Sequence, residues 1–243
     1  MKANVRYVNE IRRLIEEVQK QDEEIERASK LVCDALCSDG YIFTFGTGHS
    51  HILAEEIFYR AGGLARVYPI LEDNLMLHVG AARSSYLERM SGYAKPLLDN
   101  VEVVEKGGVI FIFSNSGCNT VAVEMAQEAK SRGLSTVCIT NITHSKKATS
   151  RHPQGKKLME VCDVVIDNKG CYGDSAIEVN GYVTGPTSTV IGAMIMQEIV
   201  CRAIELISEK GETVEVFTSA NTIGNGQANE TYIKKYKPFV KAL

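Results

Sequence analysis

A chain of 243 residues is long enough to bury one sizeable core without disulfides. Its 44% hydrophobic and 23% charged residues exclude a disordered chain, and a net charge of -3 supplies no basic field for nucleic acid. Small molecules are the expected partners. The 7 cysteines, an odd number without a C-x-x-C pair, fit reduced thiols; Cys33 and Cys37 read as core packing rather than half of a metal site. Residues 1–19 are too charged for a signal peptide, and the longest apolar stretch, 190–207, is interrupted by Glu198, Arg202 and Glu205. A cytoplasmic protein without a membrane span is expected.

Residues 5–37 carry apolar side chains at helical spacing, which predicts two helices or one bent one, with the apolar stripe on the domain or on a second subunit. Asp39-Gly40 has turn chemistry, and 41–46 reads as a buried strand. Gly46-Thr47-Gly48-His49-Ser50 breaks that run, and a helix starts near Ser50 and stops at Gly62-Gly63. Strand, glycine loop and helix start together build an anion site: glycines bring main-chain N–H groups close, and the helix adds unpaired donors and its positive dipole end. Residues 65–71 read as a second strand, 72–92 as an irregular excursion expected to cover a ligand, and 92–100 as a short helix.

The apolar run 109–114 predicts a strand covered on both faces. It leads into Asn115-Ser116-Gly117-Cys118-Asn119-Thr120 and a helix over 120–132, so the pattern of strand, small polar loop and helix occurs twice. Strands follow at 135–140 and 163–167. The connection 141–161, with His144, Lys146, Lys147, Arg151 and His152, reads as a flexible, solvated basic loop, and 168–185 as a loop rich in Gly and Asp. Pro186 opens a long helix ending near Gly211, apolar nearly all round and hence expected to be buried centrally or at a subunit interface. An edge strand over 214–221 and a short amphipathic tail helix complete the chain. The alternation predicts an α/β fold: a three-layer sandwich with a mostly parallel sheet of about five strands, helices on both faces and the N-terminal helices packed outside. Ligands of such sheets gather beyond the carboxyl ends of the strands.

Three segments, F-G-T-G-H-S at 45–50, S-N-S-G-C-N-T at 114–120 and G-P-T-S-T-V-I-G-A at 185–193, resemble in this order the hallmark segments of the sugar-isomerase (SIS) domain, a phosphosugar-binding α/β fold. The resemblance spans about 28–211 and points to bacterial single-domain phosphosugar or phosphoheptose isomerase-like proteins. It implies a helical segment 1–38 of the same domain, an SIS domain over 39–211 and an extension over 212–243. It also implies that Ser114, Asn115, Ser116, Gly117 and Asn119 grip a phosphate, that Gly46, Thr47, Gly48, His49 and Ser50 form the other half of the cradle, and that Thr187, Ser188 and Thr189 help to close the site. Asn119 stands where many members have Ser or Thr. The family usually forms dimers or tetramers that complete their sites across subunits, so a homodimer or homotetramer is expected; no cofactor is.

Aldose–ketose interconversion needs a base for the proton alpha to a carbonyl and a group to manage the hydroxyl proton. On the first helix Leu53, Ala54, Ile57, Phe58 and Ala61 make the buried face, which leaves Glu55 and Glu56 on its flanks. In phosphoheptose isomerases a catalytic glutamate lies on this helix in a similar Ala-Glu-Glu sequence; here that sequence comes about one turn nearer the loop. The last long helix lacks the histidine of that group, with Gln197 its nearest polar equivalent. Glu56, then Glu55, are the candidate bases and His51 the further catalytic candidate, with His49 and His78 as substitutes. Glu56 and Arg60 also have the spacing of an ordinary ion pair. Asp174 and Glu178 are loop carboxylates suited to sugar hydroxyls or to turns. No spacing recommends a metal, and Gly46-Thr47-Gly48 completes neither a dinucleotide fingerprint nor a P-loop. The expected function is an aldose–ketose phosphosugar isomerase working through an enediol; the alternatives are a non-catalytic phosphosugar sensor and an amino-sugar phosphate lyase or etherase.

Overall fold

In the computed structural model, which describes residues 1–219 and 226–243, the apolar runs become β1 (Tyr41–Gly46), β2 (Val67–Ile70), β3 (Gly108–Phe113), β4 (Ser135–Thr140) and β5 (Val164–Asp167). They form one parallel five-stranded sheet in the order β2-β1-β3-β4-β5. Side chains alternate between its faces: Ile42, Val109, Phe111 and Phe113 enter one core, and Phe43, Phe45, Ile110 and Ile112 the other. Helices cover both, which is why the strands read as continuous apolar runs.

The helices are α1 (Ala3–Val18), α2 (Asp22–Cys37), α3 (His51–Glu56), α4 (Leu77–Leu87), α5 (Ala94–Asp99), α6 (Thr120–Ser131), α7 (Ile142–Lys147), α8 (Leu158–Val161), α9 (Ser188–Glu209) and α10 (Gly226–Tyr236). α1, α2, α3 and α9 pack on one face, and α5, α6, α8 and α10 on the other. α2 and α9 lie together through Ala28, Val32, Ile195, Ile199 and Ala203, and Arg202 reaches Glu26 at 2.8 Å. Each large apolar side chain buried there contributes roughly 1.5–3 kcal/mol. Gln21, at the corner between α1 and α2, exchanges two hydrogen bonds with the backbone of Asp167, at 2.8 and 3.0 Å, and so anchors the N-terminal pair to the end of β5. No helix among the described residues is long and apolar enough to cross a membrane.

Several elements depart from the sequence expectation for tertiary reasons. α3 stops at Glu56 instead of running to Gly62, because the segment before β2 pairs with the C-terminal extension: Gly62 donates to Phe217 at 2.7 Å, Phe217 to Gly63 at 2.9 Å and Ala65 to Glu215 at 2.8 Å. That pairing amounts to an isolated antiparallel bridge, Leu64 to Val216, rather than an edge strand; the end of the expected strand, Ala220 and Asn221, lies outside the described residues. The excursion 72–92 is largely helical, as α4, which kinks at Gly80, where φ is 162° and ψ 99°. The basic stretch holds α7 and α8, and the 168–185 loop holds a hairpin of β6 (Ile177–Val179) and β7 (Tyr182–Thr184). α9 buries one face only, with Val190 and Cys201 exposed, because as an outer-layer helix it has a single neighbour layer. The tail helix ends at Tyr236, and Cys37, unlike Cys33, is exposed.

Candidate functional site

The strand order reverses between β1 and β3: the chain leaves β1 through α3 on one face, and β3 through α6 on the opposite face. Such a reversal opens a crevice beyond the carboxyl ends of the two strands, and both polar loops lie at it. Gly46 lets the first loop fold back tightly, since a Cβ there would stand 2.4 Å from the Ser50 carbonyl oxygen. In the second loop the hydroxyls of Ser114 and Ser116 accept from the N–H groups of Gly117 at 3.2 Å and Cys118 at 3.4 Å, so each keeps its own proton to donate.

Ser50, Ser114, Asn115, Asn168, Ser188 and Thr189 line one cavity of about 20 Å³, so the three segments picked out in the sequence meet at one place. The enclosed space suits about one water; a phosphate has room only at its mouth. His49 is exposed at the first loop, and Thr47 is buried.

The start of α9 is already engaged. Asp174 accepts from the N–H of Thr187 at 3.0 Å and of Ser188 at 3.1 Å, and from their hydroxyls at 3.3 and 2.5 Å. A ligand using these donors must share them with Asp174 or displace it. Glu178 instead serves its own hairpin, accepting from the Gly181 N–H.

An asparagine stands just past each of β3, β4 and β5: Asn115, Asn141 and Asn168. Asn168 donates to the Asn115 side-chain oxygen at 2.8 Å, and the Asn141 N–H donates to the Asn115 carbonyl at 2.9 Å. The buried Asn141 Nδ2 has no hydrogen-bond partner among the described residues. Gly170 lets the backbone pass close against this corner: a Cβ there would come within 3.0 Å of that Nδ2 and 3.2 Å of Asn168 Oδ1 and Thr187 Oγ1. Asn141 and Asn168 were missed in the sequence, although a polar amide directly after an apolar strand was a signal available to find them.

Of the candidate bases, Glu56 is ion-paired with Arg60 and Glu55 is exposed on α3. His51 is buried, and its Nδ1 meets the Gly48 carbonyl oxygen; a carbonyl can only accept, so Nδ1 carries a proton, and in the neutral ring Nε2 is the acceptor. His78 lies beside it with its ring tilted by 58°, 6.2 Å between ring centres. A carboxylate that the sequence reading passed over lies at the crevice itself. Glu88, just after α4, accepts from the Thr47 hydroxyl at 2.7 Å, while its carbonyl takes the Val121 N–H at 3.1 Å. It thereby joins the glycine loop after β1 to the first turn of α6 after β3.

The basic stretch is folded against the second loop rather than free in solvent. Leu158 N–H donates to Gly117 O at 2.8 Å and Arg151 N–H to Cys118 O at 2.9 Å; the Thr120 hydroxyl donates to Arg151 O at 2.8 Å, and the Arg151 guanidinium to Asn119 Oδ1 at 2.8 Å. His152, expected at the surface, is buried. His144 Nδ1 accepts from the Gly173 N–H at 3.2 Å, and its ring lies 4.8 Å from that of Tyr172. Desolvation lowers the His144 pKa below the ordinary histidine value, against the opposing pull of Asp174.

A larger depression, about 720 Å³, lies between α5 and α6, but it does not suit a phosphate: its cations Lys95 and Arg132 both pair with Asp99, Arg132 also reaches Glu128, and Glu102 and Glu105 leave the lining acidic. Among the described residues no group of three or more His, Cys, Asp or Glu side chains converges on a possible metal position.

Residues 6–141 match the family model described as SIS domain. The chain is 41% identical over 238 residues to a UPF0309 protein of Geobacillus thermodenitrificans, covering 97% of this chain and 94% of that protein. It is 39% identical over 240 residues to a UPF0309 protein of Listeria innocua, covering 98% and 97%. Among solved structures it is similar to the NanR protein of Vibrio vulnificus complexed with ManNAc-6P, with TM-score 0.53, 15% identity, and 98% of this chain and 69% of that one covered. It is also similar to the phosphoheptose isomerase GmhA of Neisseria gonorrhoeae, with TM-score 0.51, 16% identity, and 84% and 96% covered. At such identities the structural likeness speaks for the fold.

Proposed function

The chain belongs to the SIS domain family, and from that premise we propose that it binds a phosphosugar at the carboxyl ends of β1 and β3 and interconverts its aldose and ketose forms through an enediol. The observation that carries this reading is the meeting of Ser50, Ser114, Asn115, Ser188 and Thr189 at one cavity beside the strand-order reversal. In the proposal the hydroxyls of Ser114 and Ser116 and the N–H groups of the glycine loop hold the phosphate. A partner subunit in a homo-oligomer would cover the open side of so shallow a site.

Glu88 takes the part of the base, because Glu56 is committed to Arg60 and Glu55 is exposed. Its carboxylate removes the proton from C2 of the aldose. The C–H electron pair becomes the C1–C2 double bond of the enediolate, with the charge on the former carbonyl oxygen. The same carboxyl group returns its proton to C1 while the O2 hydroxyl proton passes to O1, so that the C2 carbonyl forms. His51 Nε2 is the candidate group for that hydroxyl proton.

A thermal-shift panel of aldose and ketose phosphates tests binding, and proton exchange at the alpha carbon in deuterium oxide tests chemistry. Stabilisation by phosphosugars without exchange would leave a binding or sensing protein in place of an isomerase. No stabilisation across the panel would remove the reading altogether.

A further inference from the structure

The basic stretch after β4 delivers Arg151 to the second polar loop with its charge unpaired by any carboxylate among the described residues. Arg151 is held there by its backbone on both sides: its N–H donates to Cys118 O at 2.9 Å, and its carbonyl accepts from the Thr120 hydroxyl at 2.8 Å. Those two residues flank Asn119. The guanidinium then donates to Asn119 Oδ1 at 2.8 Å. An amide oxygen is neutral, so this contact orients the guanidinium without cancelling its charge.

We propose that Arg151 and Asn119 form an anion clamp, in which Asn119 aims the Arg151 guanidinium at the phosphate of a phosphosugar held by the Ser114–Asn119 loop. The inference rests on the phosphosugar-binding reading but not on isomerisation. The exposed guanidinium keeps its remaining N–H donors, and two of them match a pair of phosphate oxygens in the fork geometry that arginine alone supplies. Asn119 itself has no hydroxyl to give to the phosphate. In this chain its amide oxygen instead brings in a cation from residues 141–161, and the clamp supplies charge where a hydroxyl would supply a single hydrogen bond. The ligand chemistry is that of a phosphomonoester dianion.

The test measures binding by calorimetry, using fructose 6-phosphate, glucosamine 6-phosphate and inorganic phosphate as probes. Arg151→Ala should weaken phosphosugar binding about 10- to 100-fold with an unchanged melting temperature, since the backbone contacts survive truncation of an exposed side chain. Arg151→Lys, which keeps the charge but not the fork, should fall between wild type and Ala. Lys156→Ala, removing another exposed cation of the same stretch, should bind as wild type; an equal loss would mean a diffuse field rather than a clamp and overturn the inference. Asn119→Ala should weaken binding in the wild-type background and have little further effect beside Arg151→Ala, because an aiming residue has nothing to aim there. Additive losses would overturn the pairing. Wild-type binding that survives in Arg151→Ala defeats the clamp alone, whereas a wild type that binds none of the probes defeats the phosphosugar reading and the clamp with it.

Discussion

Asp174 holds the first turn of α9 by Ser188, taking its main-chain N–H at 3.1 Å and its hydroxyl at 2.5 Å. A carboxylate thus occupies donors that a helix start would otherwise offer to a ligand anion. Replacing such a cap costs about 1 kcal/mol, which for a chain of this size lowers Tm by roughly 2–4 °C. Asp174→Ala is expected to show that loss by scanning calorimetry, and Asp174→Asn a smaller one, since its amide oxygen still accepts. Phosphate should protect the Ala variant more than wild type, because the vacated N–H and hydroxyl groups then face the added anion.

Glu88→Gln keeps the shape and can still accept from Thr47, but it cannot take a proton. Proton exchange from a bound phosphosugar should fall roughly 100-fold or more, with binding and Tm retained. The Glu55→Gln, Glu56→Gln double variant should exchange normally; loss of exchange there, with Glu88→Gln active, would return the base to α3.

Gly46→Ala drives a methyl group against the Ser50 carbonyl, where only 2.4 Å is available. The expected cost is about 1–3 kcal/mol, read as a lower denaturation midpoint, together with loss of phosphosugar binding as the first loop opens. Gly133→Ala is the comparison: its φ of +80° is strained for alanine but nothing lies within 4 Å, so it should destabilise by about 1–2 kcal/mol and leave binding intact.

Protonation of His144 removes the acceptor that holds Gly173. Desolvation places its native pKa below the unfolded value of about 6.5 despite the opposing charge of Asp174. Between the two values the unfolded chain binds more protons, so stability rises with pH. The contribution is complete above the unfolded value and is lost as pH falls through the native one. Tm measured from about pH 7.5 down to about pH 5 should therefore fall less steeply in His144→Ala than in wild type. Parallel pH profiles would show that the contact with the Tyr172–Asp174 turn contributes nothing.

Much of the sheet was legible because its strands are covered on both faces, and a strand such as Val109 to Phe113 then has no polar position to obscure it. The polar loops were legible for the complementary reason: Gly46 and Gly117 stand where a side chain would collide with Ser50 O or with Thr140 Oγ1. α4 was not legible. Its apolar residues have no helical period, and Ser84 on Leu75 O at 2.7 Å and Glu88 on Val121 hold it from outside.

The sequence by itself determined the five parallel strands, the order of the polar loops and the family, since each is encoded by residues adjacent in the chain or repeating at a fixed local period. Only the tertiary structure decided which charged and amide groups meet around the two polar loops. Glu88 meets Thr47 across 41 positions, Arg151 meets Asn119 across 32 and Asn168 meets Asn115 across 53. Such pairs are set by how helices and loops pack after the sheet has formed. Packing joins residues by distance in space, for which a periodicity along the chain carries no signal.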